Sequence, residues 1–175
     1  MDCIIEGASI LDTVSKALNG GSAEESAGGV VGVRFVSPTD LHRQGKSAGA
    51  PDFHILVRNL LRRVSLLSLG HCGCRMELDF NEWIHRAEEV ETVSVRSKRI
   101  EWERVSNRQD RRVPMGGFCG EIVYRGNIAP FLGLLLLGSL VHVGDNCAFG
   151  MGRYLVGLPG VPWMPWGWVF TGEGT

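Results

Sequence analysis

The stretch from Glu91 to Gly126, ETVSVRSKRIEWERVSNRQDRRVPMGGFCGEIVYRG, decides how this chain folds. In its first half, Glu91 to Ser106, the residues Val93, Val95, Ile100 and Trp102 take apolar positions, with Arg96, Lys98, Arg99 and Arg104 among them. Period-two patterning of that length predicts one long strand with room for a bulge. Asn107 to Pro114 is polar and turn-like. Met115-Gly116-Gly117 then leads into a second strand, Phe118 to Tyr124, which Gly126-Asn127 breaks. The two strands read as a hairpin.

Working outward, Val30 to Val36 (VVGVRFV) is β-branched and aromatic and stops at Ser37-Pro38, which predicts a strand with a clear end. Thr39 to Ala50 is polar and is expected to be an exposed loop. From Asp52 a helix follows, because Phe53, Leu56, Val57, Leu60, Leu61, Val64 and Leu67 recur at steps of three and four, with Asp52 placed at its positive start. A shorter helix is expected around Phe80 to Ala87. Beyond the hairpin, Pro130 to Leu140 reads as an apolar helix, Gly144 to Gly152 as a glycine-spaced loop, and Arg153 to Val156 as a short strand.

The order from Val30 onward is strand, helix, strand, strand, helix, strand. That is the α+β, ferredoxin-like (RRM-like) βαββαβ arrangement, with a glycine-rich loop before the last strand. One sheet face is then covered by helices and the other is free for a ligand, as in RNA-recognition modules. Residues 1–29 read as an N-terminal extension or the remnant of an upstream domain, 30–157 as the domain itself, and 158–175 as a tail in which prolines alternate with Trp163, Trp166 and Trp168. Packing over the domain is favoured for that tail, since loose tryptophans invite association.

Net charge is −1, from 18 basic and 19 acidic residues, so any surface for a polyanion must be local. Five cysteines without a CxxC pair, and no basic-then-apolar start, suit a reducing cytoplasm. Cys72-Gly-Cys74 beside His71 lacks the second ligand pair a structural zinc site needs, and no metal or cofactor is expected. The longest apolar run, Ile128 to Val143, has 16 residues, short of the roughly 20 needed to cross a bilayer.

Local charge does accumulate. Between Arg96 and Arg112, seven basic residues (Arg96, Lys98, Arg99, Arg104, Arg108, Arg111, Arg112) face three acidic ones, a net of +4. Arginine forks suit phosphate oxygens, and Trp102 and Tyr124 offer stacking faces; a merely solvated hairpin fits the composition equally well. Gly144, Gly150 and Gly152 could bring backbone amides against a phosphate with Arg153 adding charge, although such glycines are more often simply turns. Among the histidines, His142 lies just before this loop, either acting in catalysis or ordering the loop, and His42 shares a polar segment with Arg43 and Lys46, where it could reach RNA.

Two blocks carry a resemblance: W-x-R-x-S-N-R-Q-x-R-R-x-P-M-G-G-F-x-G-E-I-x-Y-x-G from Trp102, and L-V-H-V-G-D-N-C-A-F-G-M-G-R-Y ending at Tyr154. With V-R-F-V-S-P-T-D-L at Val33, Gly45-Lys46 and D-F-H-I-L-V-R-N-L-L-R-R at Asp52, the segment from about Val30 to Val156 resembles the C-terminal domain of the CRISPR precursor-RNA endoribonucleases, the Cas6 family of the RAMP superfamily. The resemblance implies a prokaryotic, cytoplasmic protein that recognises CRISPR repeat RNA and cleaves it without metal by 2'-hydroxyl attack. His142 or His42 would be catalytic, and Lys46, the basic cluster, the three loop glycines and Arg153 would bind RNA. Other CRISPR-associated proteins or a second copy are implied partners. Two departures stand out: Asp145 replaces a lysine many members carry after H-V-G, and only some 29 residues precede the first strand, where the family has another ferredoxin-like domain. A non-catalytic RNA-binding or scaffolding subunit is the alternative, and an unrelated ferredoxin-like domain binding a small molecule or protein is a third.

Overall fold

The computed structural model describes residues 29–43, 46–106, 111–159 and 163, with backbone alone at Arg43, 46–48, Trp102, 104–106 and 111–114. Strand β1 (Gly29–Thr39) buries Val31, Val33 and Phe35 and turns Gly32 and Arg34 to the opposite face. A small hairpin follows, β2 (Leu41–Arg43) with β3 (Lys46–Ala48). Then come helices α1 (Phe53–Leu67) and α2 (Phe80–Glu88), the long strands β4 (Glu91–Ser106) and β5 (Arg111–Gly126), helix α3 (Leu132–Val141) and strand β6 (Tyr154–Gly157). Strands β1, β4, β5 and β6 form one antiparallel sheet in the order β4-β5-β1-β6. With the first strand between the third and the last, and helices following the first and third, this is the ferredoxin-like fold.

The helices cover one face. Leu56 and Leu60 of α1 and Leu135 of α3 are fully buried against Val31, Val33, Ile122 and Tyr154, at about 1.5–3 kcal/mol for each large apolar side chain removed from water. A chain of edge-on rings binds the layers: Phe53 meets Tyr124 at 5.0 Å and Phe131 at 5.2 Å, and Trp83 of α2 meets Phe131 at 5.4 Å. Asp79 caps α2 by accepting from the amides of Asn81 and Glu82. Asp52 stands at the same position of α1, yet its carboxylate makes no capping bond. No helix among the described residues is long and apolar enough to cross a membrane.

Three boundaries differ from the sequence reading. β1 does not stop at Ser37-Pro38 but runs to Thr39, because a bulge between Phe35 and Thr39 lets Pro38 sit where no ladder amide is required. The segment expected as loop after Thr39 contains the β2–β3 hairpin, pinned by the fully buried Leu41. β5 begins at Arg111 rather than Phe118, since its first residues pair with β4 alone, from Ser106↔Arg111 to Ile100↔Gly117, and an edge position tolerates Pro114. The hairpin therefore projects beyond β1, whose last partner is Phe118. Of the tail, Trp163 is described; its ring packs against Gly32 and Gly157 on the face away from the helices.

The protein's two tyrosines are both in the core: Tyr124 donates its phenolic hydrogen to the Pro51 carbonyl at 2.9 Å and Tyr154 to that of Leu135 at 2.7 Å. Burial pushes both phenols well above the ordinary value of 10.0, Asp52 adding to the effect at Tyr124. The folded chain thus holds phenolic protons that the unfolded chain releases near pH 10, so this contribution to stability is complete below that pH and is lost as pH rises toward the folded values. In alkaline titrations, phenolate absorbance should appear only as the fold is lost, and Tyr154→Phe should lessen the alkaline fall in unfolding free energy. Phenolate appearing in the intact fold near pH 10 would contradict this.

Candidate nucleic-acid interface

The end of β1 and the loop from Val143 to Arg153 are stitched together by backbone. The Gly152 amide donates to the Pro38 carbonyl at 3.0 Å, the Asp145 amide to Asp40 at 3.0 Å, and the Arg153 amide to the Ser37 hydroxyl at 2.9 Å. In return the amides of Val36 and Ser37 both donate to the Arg153 carbonyl. The loop closes on itself through Val143 N–H to Gly152 O at 3.0 Å. Such an approach requires glycine: a Cβ on Gly144 would lie 2.3 Å from the Asp40 oxygen, and one on Gly152 only 1.9 Å from that of Val143, with both residues at positive φ. Gly150 also has positive φ but has open space around it. The loop amides at Asp145, Phe149, Gly150, Gly152 and Arg153 are thus bonded within the protein, and Gly144 and Gly152 serve the fold of the loop first.

His142 and His42 flank this seam. His142 follows α3 with φ 63° and its Nδ1 lies 3.1 Å from the Met151 carbonyl; Nδ1 donates there, which ties the start of the loop to its end. His42 on β2 turns Nε2 to two carboxylates, Asp40 at 3.4 Å and Asp145 at 3.1 Å. Neither contact has the alignment of a directed hydrogen bond, and Nε2 is sealed from solvent although the side chain is 32% exposed. Asn59 of α1 fixes the segment by donating to the His42 carbonyl at 3.3 Å. Beneath the loop, Arg63 donates to the Val141 carbonyl, and the Cys147 thiol donates to Gly144 at 3.2 Å. Burial holds that thiol in its protonated form, with the Arg63 charge opposing.

The basic cluster divides. Arg96 pairs in register with Glu121 and Lys98 with Cys119, so both stand on the open face, where Arg34 also binds Glu121 at 3.0 Å. They border a shallow depression of about 400 Å³ with Ser97, Cys119 and Gly120. Burial raises the Cys119 thiol, and Lys98 opposes it. Arg99 is in register with the buried Phe118, hence on the other face, where it pairs with Glu101. The backbone carries Arg104, Arg111 and Arg112 on the projecting hairpin, opposite Val113, Ser106 and Val105, and places Lys46 on β3 opposite Arg43. Arg153 is exposed beside the seam; Arg108 lies outside the described residues.

One expectation changes. Tyr124 is no stacking face, since its strand parity turns it into the core. His71 and Cys72 lie exposed in a π-helical turn, Ser68–Cys72. Sequence reasoning also passed over Asp40, although Asp40 and His42, two apart on extended backbone, share a face. It noted Asp145 as a departure without finding its partner.

Residues 33–154 match the family model described as CRISPR-associated endoribonuclease Cas6. Among curated proteins, none matches. Among solved structures, a Cas6 substrate mimic complex is 23% identical with a TM-score of 0.52, over 79% of this chain and 55% of that one. Thermus thermophilus Cas6 is 17% identical with a TM-score of 0.56, over 81% and 57%. A partial Cas6-RT-Cas1-Cas2 complex is 12% identical with a TM-score of 0.59, over 85% and 26%. At these identities the likeness is one of fold. The chain spans little more than half the length of the Cas6 chains it matches.

The seam makes a prediction about its glycines. Gly152→Ala should cost about 3 kcal/mol or more in urea unfolding, combining left-handed strain with a backbone collision, whereas Gly150→Ala should cost about 1 kcal/mol for the strain alone. Equal costs would mean that the close approach of Gly152 to Val143 is not what holds the loop.

Proposed function

Because the chain belongs to the Cas6 family of CRISPR-associated endoribonucleases, we propose that it binds precursor CRISPR RNA and cuts it within the repeat, with His42 as general base. The observation that carries this reading is the convergence of His42 with the glycine loop: the Asp145 carboxylate reaches Nε2 while the Asp145 amide holds Asp40. A histidine base is oriented by carboxylates on one ring nitrogen, and Nε2 of His42 faces two of them.

In the proposed reaction the Nδ1 lone pair of His42 takes the proton of the ribose 2'-hydroxyl. The resulting oxygen attacks the adjacent phosphorus, the bond to the 5'-oxygen breaks, and that oxygen takes a proton from water and leaves as a hydroxyl, His42 later returning its proton to solvent. A cyclic phosphate and a 5'-hydroxyl end result, with no metal in the step. Positive charge for the pentacoordinate phosphate would come from Arg153 at the seam and from Arg43 and Lys46, which pair beside His42 on the small hairpin. His142, anchored to Met151, is assigned to ordering the loop. Arg96 and Lys98 are assigned to phosphates further along the strand.

One observation favours the alternative, a subunit that holds RNA without cutting it. The Asp145 side chain is 57% exposed, and its charge repels phosphate where many relatives carry lysine.

Incubation of the chain with its repeat RNA in EDTA separates the two readings. Cleavage should persist with the chelator, and His42→Ala should lower the rate at least about a hundredfold, the scale of a lost general base, while binding is kept. His142→Ala should reduce thermal stability and cleavage together. RNA that is bound and left intact by the unaltered chain makes the holding subunit the correct reading.

Binding has its own signature. Arg96→Ala with Lys98→Ala should weaken RNA binding and lower the slope of log K against log salt by about 1.4, as for two lost contacts to a single strand. An unchanged slope removes both residues from the phosphate path.

A further inference from the structure

The open face of the sheet carries a flat patch that nothing in the cleavage reaction uses. Gly32 of β1 and Gly157 of β6 are direct register partners, so two residues without side chains lie next to each other on the outer face. The indole of Trp163 rests on them. A Cβ at Gly32 would meet three ring carbons at 2.6 to 3.4 Å, and one at Gly157 would meet three at 2.9 to 3.1 Å. Several ring atoms near each position mean that the ring lies with its face to the sheet. Arg34 adds a cation 4.2 Å from the ring centroid, and Glu121 holds Arg34 through two bonds of 3.0 and 3.3 Å.

We propose that this glycine pair and Arg34 form a site for one unpaired nucleobase of RNA, and that Trp163 fills it in the free protein. The fit is physical. The site has room for a planar ring because no side chain rises from Gly32 or Gly157, and Arg34 offers a cation to the ring's π system. Arg96, across Glu121 from Arg34 in register, stands on the same face for the neighbouring phosphate. The seated ring cannot itself act as a stacking platform, because the sheet takes one face and Arg34 lies over the ring. Trp163 therefore competes with RNA from a short tether, at an effective concentration on the order of millimolar.

This inference rests on the reading of the chain as an RNA binder and is independent of whether it cuts. The test measures the anisotropy of a short fluorescent oligo-uridine RNA and of an abasic oligonucleotide of equal length. Trp163→Ala and Trp163→Gln should each bind the oligo-uridine about tenfold more tightly than the unaltered chain, the scale of one base stack released from competition, with no change for the abasic strand. Adding Gly157→Val, which puts a branched side chain on the patch, should erase the gain. Weaker or equal binding by both Trp163 variants overturns the proposal, as does an equal gain for the abasic strand. If the unaltered chain binds repeat RNA and the Trp163 variants show no gain, this inference alone fails. If no form binds any RNA, the functional reading falls with it.

Discussion

Backbone hydrogen bonding between the end of β1 and the loop before β6 is the constraint on which the molecule's chemistry depends. Pro38 and Asp40 offer carbonyls, and Gly152 and Asp145 offer amides, across more than a hundred residues of chain. Because the partners are main-chain atoms, the side chains are left to do something else. Asp40, His42 and Asp145 emerge from the two sides of the seam and meet. The bulge in β1 makes this possible, since it withdraws Val36 and Ser37 from the ladder with β5 and gives them to Arg153. A straight β1 would leave the loop unattached and His42 without its carboxylates.

The fold was legible because its signals are periodic. Alternation in β1 and β5, and the three-and-four spacing in α1, report burial directly, whereas the alternation in β4 reports strand without burial, its Val93 and Val95 being exposed. The hairpin β2–β3 was not legible, because its buried Leu41 stands among polar neighbours and gives no period. Pro114 misled in the same way: a proline argues against a strand only where both edges are paired. The site was half legible. His42, His142 and the loop could be picked out by residue type, whereas the meeting of Asp145 with His42 is a product of tertiary contact that no local pattern encodes. The role of Gly152 lay between these limits. A glycine-spaced loop is visible in sequence, but whether its amides face a ligand or the protein's own carbonyls is not.

Electrostatically the chain is nearly neutral, and its charges act by placement. Arg34 and Glu121 neutralise each other at the centre of the open face, while Arg96 and Lys98, in register with Glu121 and Cys119 toward the β4 side, have no ion pair among the described residues. Arg99, one residue on, is turned to the opposite face and spent on Glu101. A basic run read from sequence therefore overstates the positive surface any one ligand can meet, because strand parity deals its members to two sides.

That same strand has another consequence. Among the described residues β4 is an outer strand of the sheet, with one row of main-chain groups unmatched, and its Val93 and Val95 are 41% and 45% exposed. An uncovered, apolar, extended border is a template on which further copies can add edge to edge into fibrils. The irregularity between Thr92 and Ser94 twists that border, and Arg96 and Lys98 beyond it set charge along the edge. Residues suited to attracting a polyanion thus also act as gatekeepers against self-assembly, so neutralising them endangers solubility before it touches any reaction.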